Sequence, residues 1–534
     1  MRDPARHESS APFGNPDGAR EPLEDLASSF VDFPSIAAYQ GLATRENDLG
    51  ARVIVGRKGA GKSLYLRRLQ AFAASAYDVH AFGIETSLPA TRAIVQLCQG
   101  YPEHLLTELW QLVWRRAIFR SLSSEFILNP ALHGYVKDRD RIDLLAFAPD
   151  LFRLPKRPLP IYSQVGEIID ECYTHHRLEQ YLRQPEWPEL EDVIAEILHD
   201  APPICVYLDG IDENYSHAPT YWMRCQEGLF YVVMALLREA SFGGRLHIFL
   251  GLREAVLSSV LRTENAGRYR GEDHLRILDW PHQAARHFLE KKVARLDTEY
   301  FDPRMPGDRS VEGWLGRSHI RNDARGIDEP VVSYLLRHTR QLPRDIVTLG
   351  NELSRDIREA RLPGDSSDGA IEAVIRTTVS RVAGWLGDEQ LQICANHLLS
   401  DMLPPNAARH GYSEAYTAGD EYSRGVKEDL VQAIRRVGTD VLSEQRLQAL
   451  SAELQAHFET TSDILSIMWQ HGLVGYRDAQ SSEGFAQFYS LGGVDRFNLP
   501  LGRKEYVLHP CLIDRVVLAP SGRVPVLPWG GGPQ

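Results

Sequence analysis

The sequence predicts an α/β protein organised around a parallel sheet. Three observations carry that prediction. Short β-branched runs alternate with helical patterns between about residues 51 and 280, as expected of parallel strands joined by crossover helices. One of these runs, ARVIV, passes directly into the glycine-rich turn GRKGAGKS and then into a helical pattern. Another, ICVYLDGIDE, is apolar until it ends in a group of carboxylates.

The elements follow in order. Residues 1–22 are rich in Pro, Gly, Ser and charge, which predicts a disordered tail. Residues 23–50 mix Phe30, Phe33, Ile36 and Tyr39 with polar positions and read as a helical lead-in. The first strand ends at Gly56, and Leu64, Leu66, Leu69 and Phe72 mark a helix from about Lys62. DVHAFGIE, Asp78 to Glu85, is a second strand. Residues 90–198 then read as helical. Leu105, Leu109, Leu112 and Val113 share one helical face, and the proline-rich RLPKRPLPIY divides the stretch. Strands return at ICVYL, at LHIFLGLRE and at LRILDW. This describes a core over residues 23–280 with a helical insertion at about 90–198. Residues 281–400 read as a helical lid, and 401–439 as a linker and a helix. Residues 440–520 alternate helices with two short strands, AQFYS and EYVLHP, and 521–534 form a flexible tail.

Composition sets limits on function. At 534 residues and 60.2 kDa the chain divides into three or four units of roughly 150 residues each. Hydrophobic residues at 43% and charged residues at 25% exclude a fibre or a wholly disordered chain. A net charge of −13 excludes general affinity for nucleic acid, though not a local basic patch. The six cysteines are too few and too scattered for a disulfide scaffold. No apolar run reaches the roughly 18 residues of a membrane span, and the first residues hold no apolar stretch of a signal peptide. The expectation is a reduced, cytoplasmic, multidomain protein with no membrane partner.

GRKGAGKS, Gly56 to Ser63, fits the P-loop (Walker A) pattern G-x-x-x-x-G-K-[ST], with a strand before it and a helix after it. Glycines let successive backbone N–H groups turn toward one centre and cradle phosphate oxygens. The helix adds its positive N-terminal end. The nucleotide-binding set is therefore Gly56, Arg57, Lys58, Gly59, Ala60, Gly61, Lys62, Ser63 and Leu64. Lys62 reaches the β- and γ-phosphates of ATP, and the Ser63 hydroxyl ligates Mg²⁺. The acidic partner (Walker B) is the strand ending in Asp209, which holds Mg²⁺ opposite Ser63. Glu213 polarises the attacking water, with Asp212 assisting or substituting. A helix-capping role for Asp212 and Glu213 is the competing reading. About 145 residues separate loop and acidic strand, which is why residues 90–198 read as an insertion in a P-loop NTPase sheet.

LDGIDE resembles the acidic motif of the signal-transducing STAND ATPases, including their NACHT branch, beside the AAA+ proteins; the resemblance covers roughly residues 45 to 360. It implies that Arg253, closing LHIFLGLR, senses the γ-phosphate. It also implies that Arg344 of RHTRQLPRDIVTLGNEL, next to Pro343 at a lid-helix start, reaches back to the nucleotide. Arg268 and Arg270 stand where AAA+ proteins place an arginine finger, which implies oligomers; a solvated basic loop is the alternative. The chain departs from many STAND proteins in showing no leucine-rich, tetratricopeptide or WD-type array. Its layout also resembles bacterial P-loop ATPases of anti-phage defence islands.

TSDILSIMWQHGLVGYRD, AQFYS and EYVLHP resemble the helices and two-stranded wing of a winged-helix domain in origin-recognition-type ATPases. That resemblance implies DNA contact through recognition helix and wing. Charge opposes it: from Val441 onward acidic residues outnumber basic ones nine to seven, and only Arg503 and Lys504 lie together. CYTHH, Cys172 to His176, lacks the second pair of ligands that a structural zinc site needs. Two functional readings follow. One is an ATP-driven switch acting on an effector protein or on its own oligomer. The other is a DNA-associated ATPase akin to an origin-recognition or transposition regulator. An inactive P-loop scaffold is a third.

Overall fold

Three short apolar runs, at 53–56, 204–208 and 246–253, are buried on both sides, which is how parallel strands covered by crossover helices read in sequence, and two partly exposed runs, at 80–85 and 275–277, flank them. A computed structural model assembles them into one parallel sheet. It describes residues 11–18, 20, 52–76, 79–86, 88, 94, 97–98, 101–172, 174–210, 219–264, 266–269, 272, 274–322, 327–362, 367–401, 420–460, 463–477, 486–489, 498–503 and 505–516. The strands are β1 (Val53–Gly56), β2 (His80–Glu85), β3 (Ile204–Leu208), β4 (Leu246–Arg253) and β5 (Leu275–Ile277), in the order β2-β3-β4-β1-β5. Alternate residues serve two cores. Val53, Val55, Val206, Leu208, Ile248 and Leu250 face one, and Ile54, Cys205, Tyr207 and Phe249 face the other.

Helix α1 (Lys62–Ala76) leads from β1 to β2. Between β2 and β3 lie five helices: α2 (Leu106–Leu128), α3 (Asp138–Leu151), α4 (Ile161–Glu171), α5 (His175–Leu182) and α6 (Glu186–Asp200). α7 (Pro219–Leu236) follows β3, and α8 (Glu254–Leu261) follows β4. Tyr65 and Leu66 of α1 enter the second core, whereas α7 and α8 pack in the first with the inserted helices. The connections leaving β1 and β4 therefore run on opposite faces and in opposite directions along the sheet. Adjacent strands with diverging connections open a crevice at their carboxyl ends, the place where open α/β sheets hold ligands.

The second core continues through α9 (His282–Ala294), α10 (Val331–Arg337) and α11 (Pro343–Arg361) into the first half of α12 (Asp368–Asp401). At 34 residues α12 is about 50 Å long. Its second half packs in a third core with α13 (Asp420–Val437), α14 (Glu444–Phe458), α15 (Ile464–Gln470) and α16 (Pro510–Val516). This core also holds a four-stranded antiparallel sheet of β8 (Val441–Leu442), β9 (Val474–Arg477), β10 (Ala486–Gln487) and β11 (Glu505–Leu508), ordered β10-β9-β11-β8. All six cysteines are buried and unpaired. Among the described residues no helix is long and apolar enough to cross a membrane.

Three expectations need correction. The region read as wholly helical from 281 to 362 contains an antiparallel hairpin, β6 (His319–Asn322) with β7 (Ile327–Pro330). The buried ion pair of Glu329 with Arg337 of α10, 2.6 Å apart, ties the hairpin to the helices, a contact that strand propensity does not report. The two C-terminal strand candidates pair with β9, on its opposite edges, and not with each other. Finally, part of the supposed disordered tail is packed. Phe13 is 1% exposed and lies against Trp314, with ring centroids 5.1 Å apart. Its amide donates to Asn351 Oδ1 at 2.8 Å, and Asn351 Nδ2 donates to the Gly14 carbonyl at 3.0 Å. One aromatic anchor and one amide clamp outweigh a polar composition. The helical lead-in at 23–50 and the tail at 521–534 lie outside the described residues, as does most of the polar stretch 404–425 expected to be a loop, whose last residues, from Asp420, are instead the start of α13.

Gly210, just past β3, has φ +68°, and a Cβ there would stand 2.1 Å from the Thr86 carbonyl oxygen. Gly210→Ala combines left-handed strain with a backbone clash. It is expected to lower stability by about 2–4 kcal/mol, read as an earlier urea midpoint.

Candidate functional site

The turn between β1 and α1 depends on two left-handed glycines, Gly59 at φ +90° and Gly61 at φ +96°. They fold the turn back so that Lys62, 8% exposed, donates from Nζ to the carbonyls of Gly56 at 3.1 Å and Arg57 at 3.2 Å. The Tyr65 amide bonds back to the Gly61 carbonyl at 3.1 Å. The amides that open α1, those of Ser63 and Leu64 among them, have no acceptor within their own helix. A helix N-terminus of this kind attracts anions. Trp280 Nε1 donates to the Ala60 carbonyl at 2.9 Å and fixes the turn from the β5 side.

β1 and β4 run in register, with Gly56 opposite Arg253. Arg253 and Glu254 therefore emerge beside the turn. On the far side of β4, Asp209 follows β3 and is 5% exposed. Its carboxylate occupies room left by a missing side chain. A Cβ on Gly251 would lie 2.7 Å from Asp209 Oδ1 and 3.3 Å from Leu66 Cδ1. Leu66 is three residues beyond Ser63 and so on the same face of α1. Asp209 thus lies toward the face of α1 that carries Ser63.

Arginine and carboxylate pairs join the turn to the rest of the chain. Arg57 Nε donates to Glu254 Oε2 at 3.2 Å, and its Nη2 donates to the Tyr489 carbonyl at 2.5 Å. Its guanidinium also lies over the Tyr489 ring, 5.1 Å from the centroid. Lys58 pairs with Glu389 of α12 at 2.9 Å; Glu389 pairs with Arg340 at 2.7 Å, and Arg340 pairs with the buried Asp345 of α11 at 2.6 Å. Burial disfavours the Glu389 carboxylate, but Arg340 and Lys58 outweigh burial and hold it at about 2. Arg344 opens α11 against the turn: its amide donates to the Gly59 carbonyl at 3.3 Å and its Nε to the Pro16 carbonyl at 3.4 Å. Arg67 of α1 also holds the Gly18 carbonyl, at 2.7 Å. A cleft of about 650 Å³, its solvent-open part included, lies between the turn, the end of β4, α12 and α15. Arg57, Lys58, Arg253, Glu254, Arg340, His397 and His471 line it, and His397 Nδ1 stands 2.8 Å from His471 Nε2.

The fold thus gathers Gly56 to Leu64, Asp209, Arg253 and Arg344 at one edge of the sheet. Asp212, Glu213, Arg270 and Lys504 lie outside the described residues. Arg268 is exposed on the short helix Ala266–Tyr269, away from the crevice-lining groups. Arg503 lies over the Tyr476 ring, 5.0 Å from its centroid. Sequence reasoning missed Glu254, Arg340, Glu389, Tyr489 and the segment around Phe13. Glu254 had a local signal, because it directly follows Arg253 at a strand end. The others meet the turn only through long-range packing. No family model, no curated protein and no solved structure matches the chain.

Burial pushes the Glu254 carboxyl up to about 7 from an ordinary 4.5, although Arg57 pulls it down. Folding therefore favours its protonated form, and its contribution to stability falls as pH rises through that window. Glu254→Gln does not titrate. The variant should gain on the wild type by up to about 3 kcal/mol between pH 4.5 and 7 and keep a constant difference above that. Urea unfolding of both proteins at pH 5 and pH 8 measures the change.

Proposed function

We propose that the protein is an ATP-binding and ATP-hydrolysing molecular switch of the STAND/AAA+ type. In this reading residues 56–64 form a P-loop in an NTPase sheet, 281–400 form a lid, and the C-terminal module is winged-helix-like. One observation supports it: the Gly56–Ser63 turn leaves the sheet between strands whose connections diverge, with Arg253 beside it and Asp209 packed toward α1 across Gly251. The donor set suits a triphosphate. The opening amides of α1 and Lys62 face phosphate oxygens, with Lys62 exchanging its bonds to the Gly56 and Arg57 carbonyls for them. Ser63 and Asp209 would hold Mg²⁺, which would supply charge neutralisation to the phosphates. Gly251, by lacking a side chain, leaves Asp209 room for that task. Glu213, assisted by Asp212, orients the attacking water.

Arg253 and Arg344 report the state of the γ-phosphate. The contacts of the turn support a switch, because Arg57 bonds Tyr489, Lys58 bonds Glu389 and Arg344 bonds Gly59. Each links the loop to a part of the chain outside the sheet. The output is assembly with, or release of, an effector protein, in the cytoplasmic anti-phage setting that the layout suggests. A DNA-associated ATPase is the second reading. Helix α15 leading into antiparallel strands favours it, and the acidic balance of that module opposes it.

Lys62→Ala should weaken ATP binding on the order of 10–100-fold, the loss of a charge-assisted bond worth about 1.5–3 kcal/mol. Gly251→Ala should keep ATP binding and lose Mg²⁺-dependent turnover. Wild type that neither binds nor hydrolyses ATP with Mg²⁺ would remove the reading. Light scattering on Glu213→Gln, with and without ATP–Mg²⁺ and then with duplex DNA, separates the two forms of the proposal. A nucleotide-dependent oligomer without DNA is expected; a shift only with DNA favours the second reading.

A further inference from the structure

Three residues distant in sequence close a hydrogen-bonded circuit behind the acidic strand. The Asp209 amide donates to the Glu85 carbonyl at 2.8 Å. The Glu85 carboxylate accepts the amides of Ile161 at 2.7 Å and Tyr162 at 2.6 Å, the first two of helix α4. The Tyr162 hydroxyl, from that same helix, donates to the Asp209 carbonyl at 2.8 Å. All three residues are buried. A carboxylate at a helix N-terminus is held by the aligned amides and by the helix dipole. Glu85 therefore fixes where α4 begins, and α4 fixes where the Tyr162 hydroxyl stands.

A second contact extends the arrangement. The Tyr162 ring meets Trp114 of α2 edge-on, with centroids 5.8 Å apart. The Trp114 indole N–H donates to the Cys225 carbonyl of α7 at 2.9 Å. α7 lies so close to α2 that a Cβ on Gly228 would be 2.5 Å from Trp110 Cβ. Two neighbouring aromatic residues of the inserted helices thus grip β3 at its end and α7 near its start. By sequence, the stretch between those two points carries Asp212 and Glu213.

We infer that Tyr162, seated by Glu85 and braced by Trp114, is the positioning residue for Asp209, so that the inserted helices set the geometry of the site's acidic side. The inference rests on the nucleotide-switch reading above. It makes the insertion a route of control, since anything that displaces α4 or α2 withdraws a bond from the backbone of Asp209 or of α7. A backbone bond of this kind orients a side chain without touching ligand. Removing such outer partners of metal-ligating groups typically costs about 10–100-fold in metal affinity or activity.

The test uses the full chain and Tyr162→Phe, which deletes one hydroxyl and keeps the ring against Trp114. ATP–Mg²⁺ hydrolysis should fall on the order of 10–100-fold in kcat, or need that much more Mg²⁺ for half-maximal turnover, with KM for ATP unchanged. Hydrogen exchange on the nucleotide-free, metal-free protein should be faster at the end of β3, with the melting temperature of the chain close to wild type. Trp114→Phe keeps the aromatic contact and removes the indole donor. It should move the same quantities in the same direction, and it decides the matter if Tyr162→Phe fails to fold. Both variants turning over ATP with the kcat and Mg²⁺ requirement of an active wild type would overturn the inference alone. Faster exchange without any change in Mg²⁺ requirement or kcat would also overturn it, because Tyr162 would then be structural only. A wild type without turnover would instead sink the underlying reading, and the inference with it.

Discussion

The parallel register of β1 with β4 is the constraint from which the rest of the site follows. Because Gly56 stands opposite Arg253, a glycine turn and an arginine–glutamate pair leave the sheet side by side. Because the connections of those two strands run on opposite faces, nothing in the sheet itself covers the space above them. β3 then delivers Asp209 from the other side of β4, and only an absent side chain at 251 lets its carboxylate pack toward α1. A slip of one residue in this pairing would turn each strand's core-facing side chains to the wrong face and would scatter these groups.

Ion pairs around the turn carry two different tensions. Lys58, Glu389, Arg340 and Asp345 alternate in sign, and the alternation keeps Glu389 ionised although it is half-buried. Glu254 is drawn down by Arg57 and, less, by Lys62, but full burial outweighs both, and its carboxyl rises to about 7. Two carboxylates a few residues from the same loop therefore sit in opposite electrostatic conditions. Glu389 stabilises its surroundings as a charge. Glu254 is a charge the fold tolerates with difficulty, next to an arginine that is shared with the C-terminal module. Groups whose pKa is shifted this far concentrate at functional sites.

Much of the sheet was legible in the sequence, because its evidence is local. VIV, ICVYL and LHIFLGL are short and largely apolar, and each is bounded by polar, proline or glycine positions. The turn chemistry at Gly59 and Gly61 was also legible, since left-handed backbone calls for glycine. What local reading lacked was partnership. EYVL could be recognised as a strand, but its pairing with VGYR rather than with AQ depends on packing across the third core. HIRN and IDEP carry too few apolar residues to signal a hairpin, which is held instead by Glu329 and Arg337. Phe13 looked like one aromatic in a polar tail, because Trp314 and Asn351, its partners, lie hundreds of positions away. Tyr162 was invisible for the same reason: a tyrosine two positions after a proline says nothing of the aspartate it will hold.

That separation along the chain has a consequence during synthesis. The bond from the Phe13 amide to Asn351 joins residues 338 positions apart, and the contact of Arg57 with Tyr489 spans 432. At roughly 5–20 residues per second, the ribosome makes Asn351 about 20–70 s after Phe13. Through that interval the nascent chain carries a finished glycine turn with its cover not yet made. The aromatic anchor of the first segment stays in solvent until Trp314 and the helices of the second core emerge. The α/β core must hold its crevice unaided while the last third of the protein is translated, so a chain interrupted before residue 489 would leave the ribosome with the turn permanently uncovered on that side.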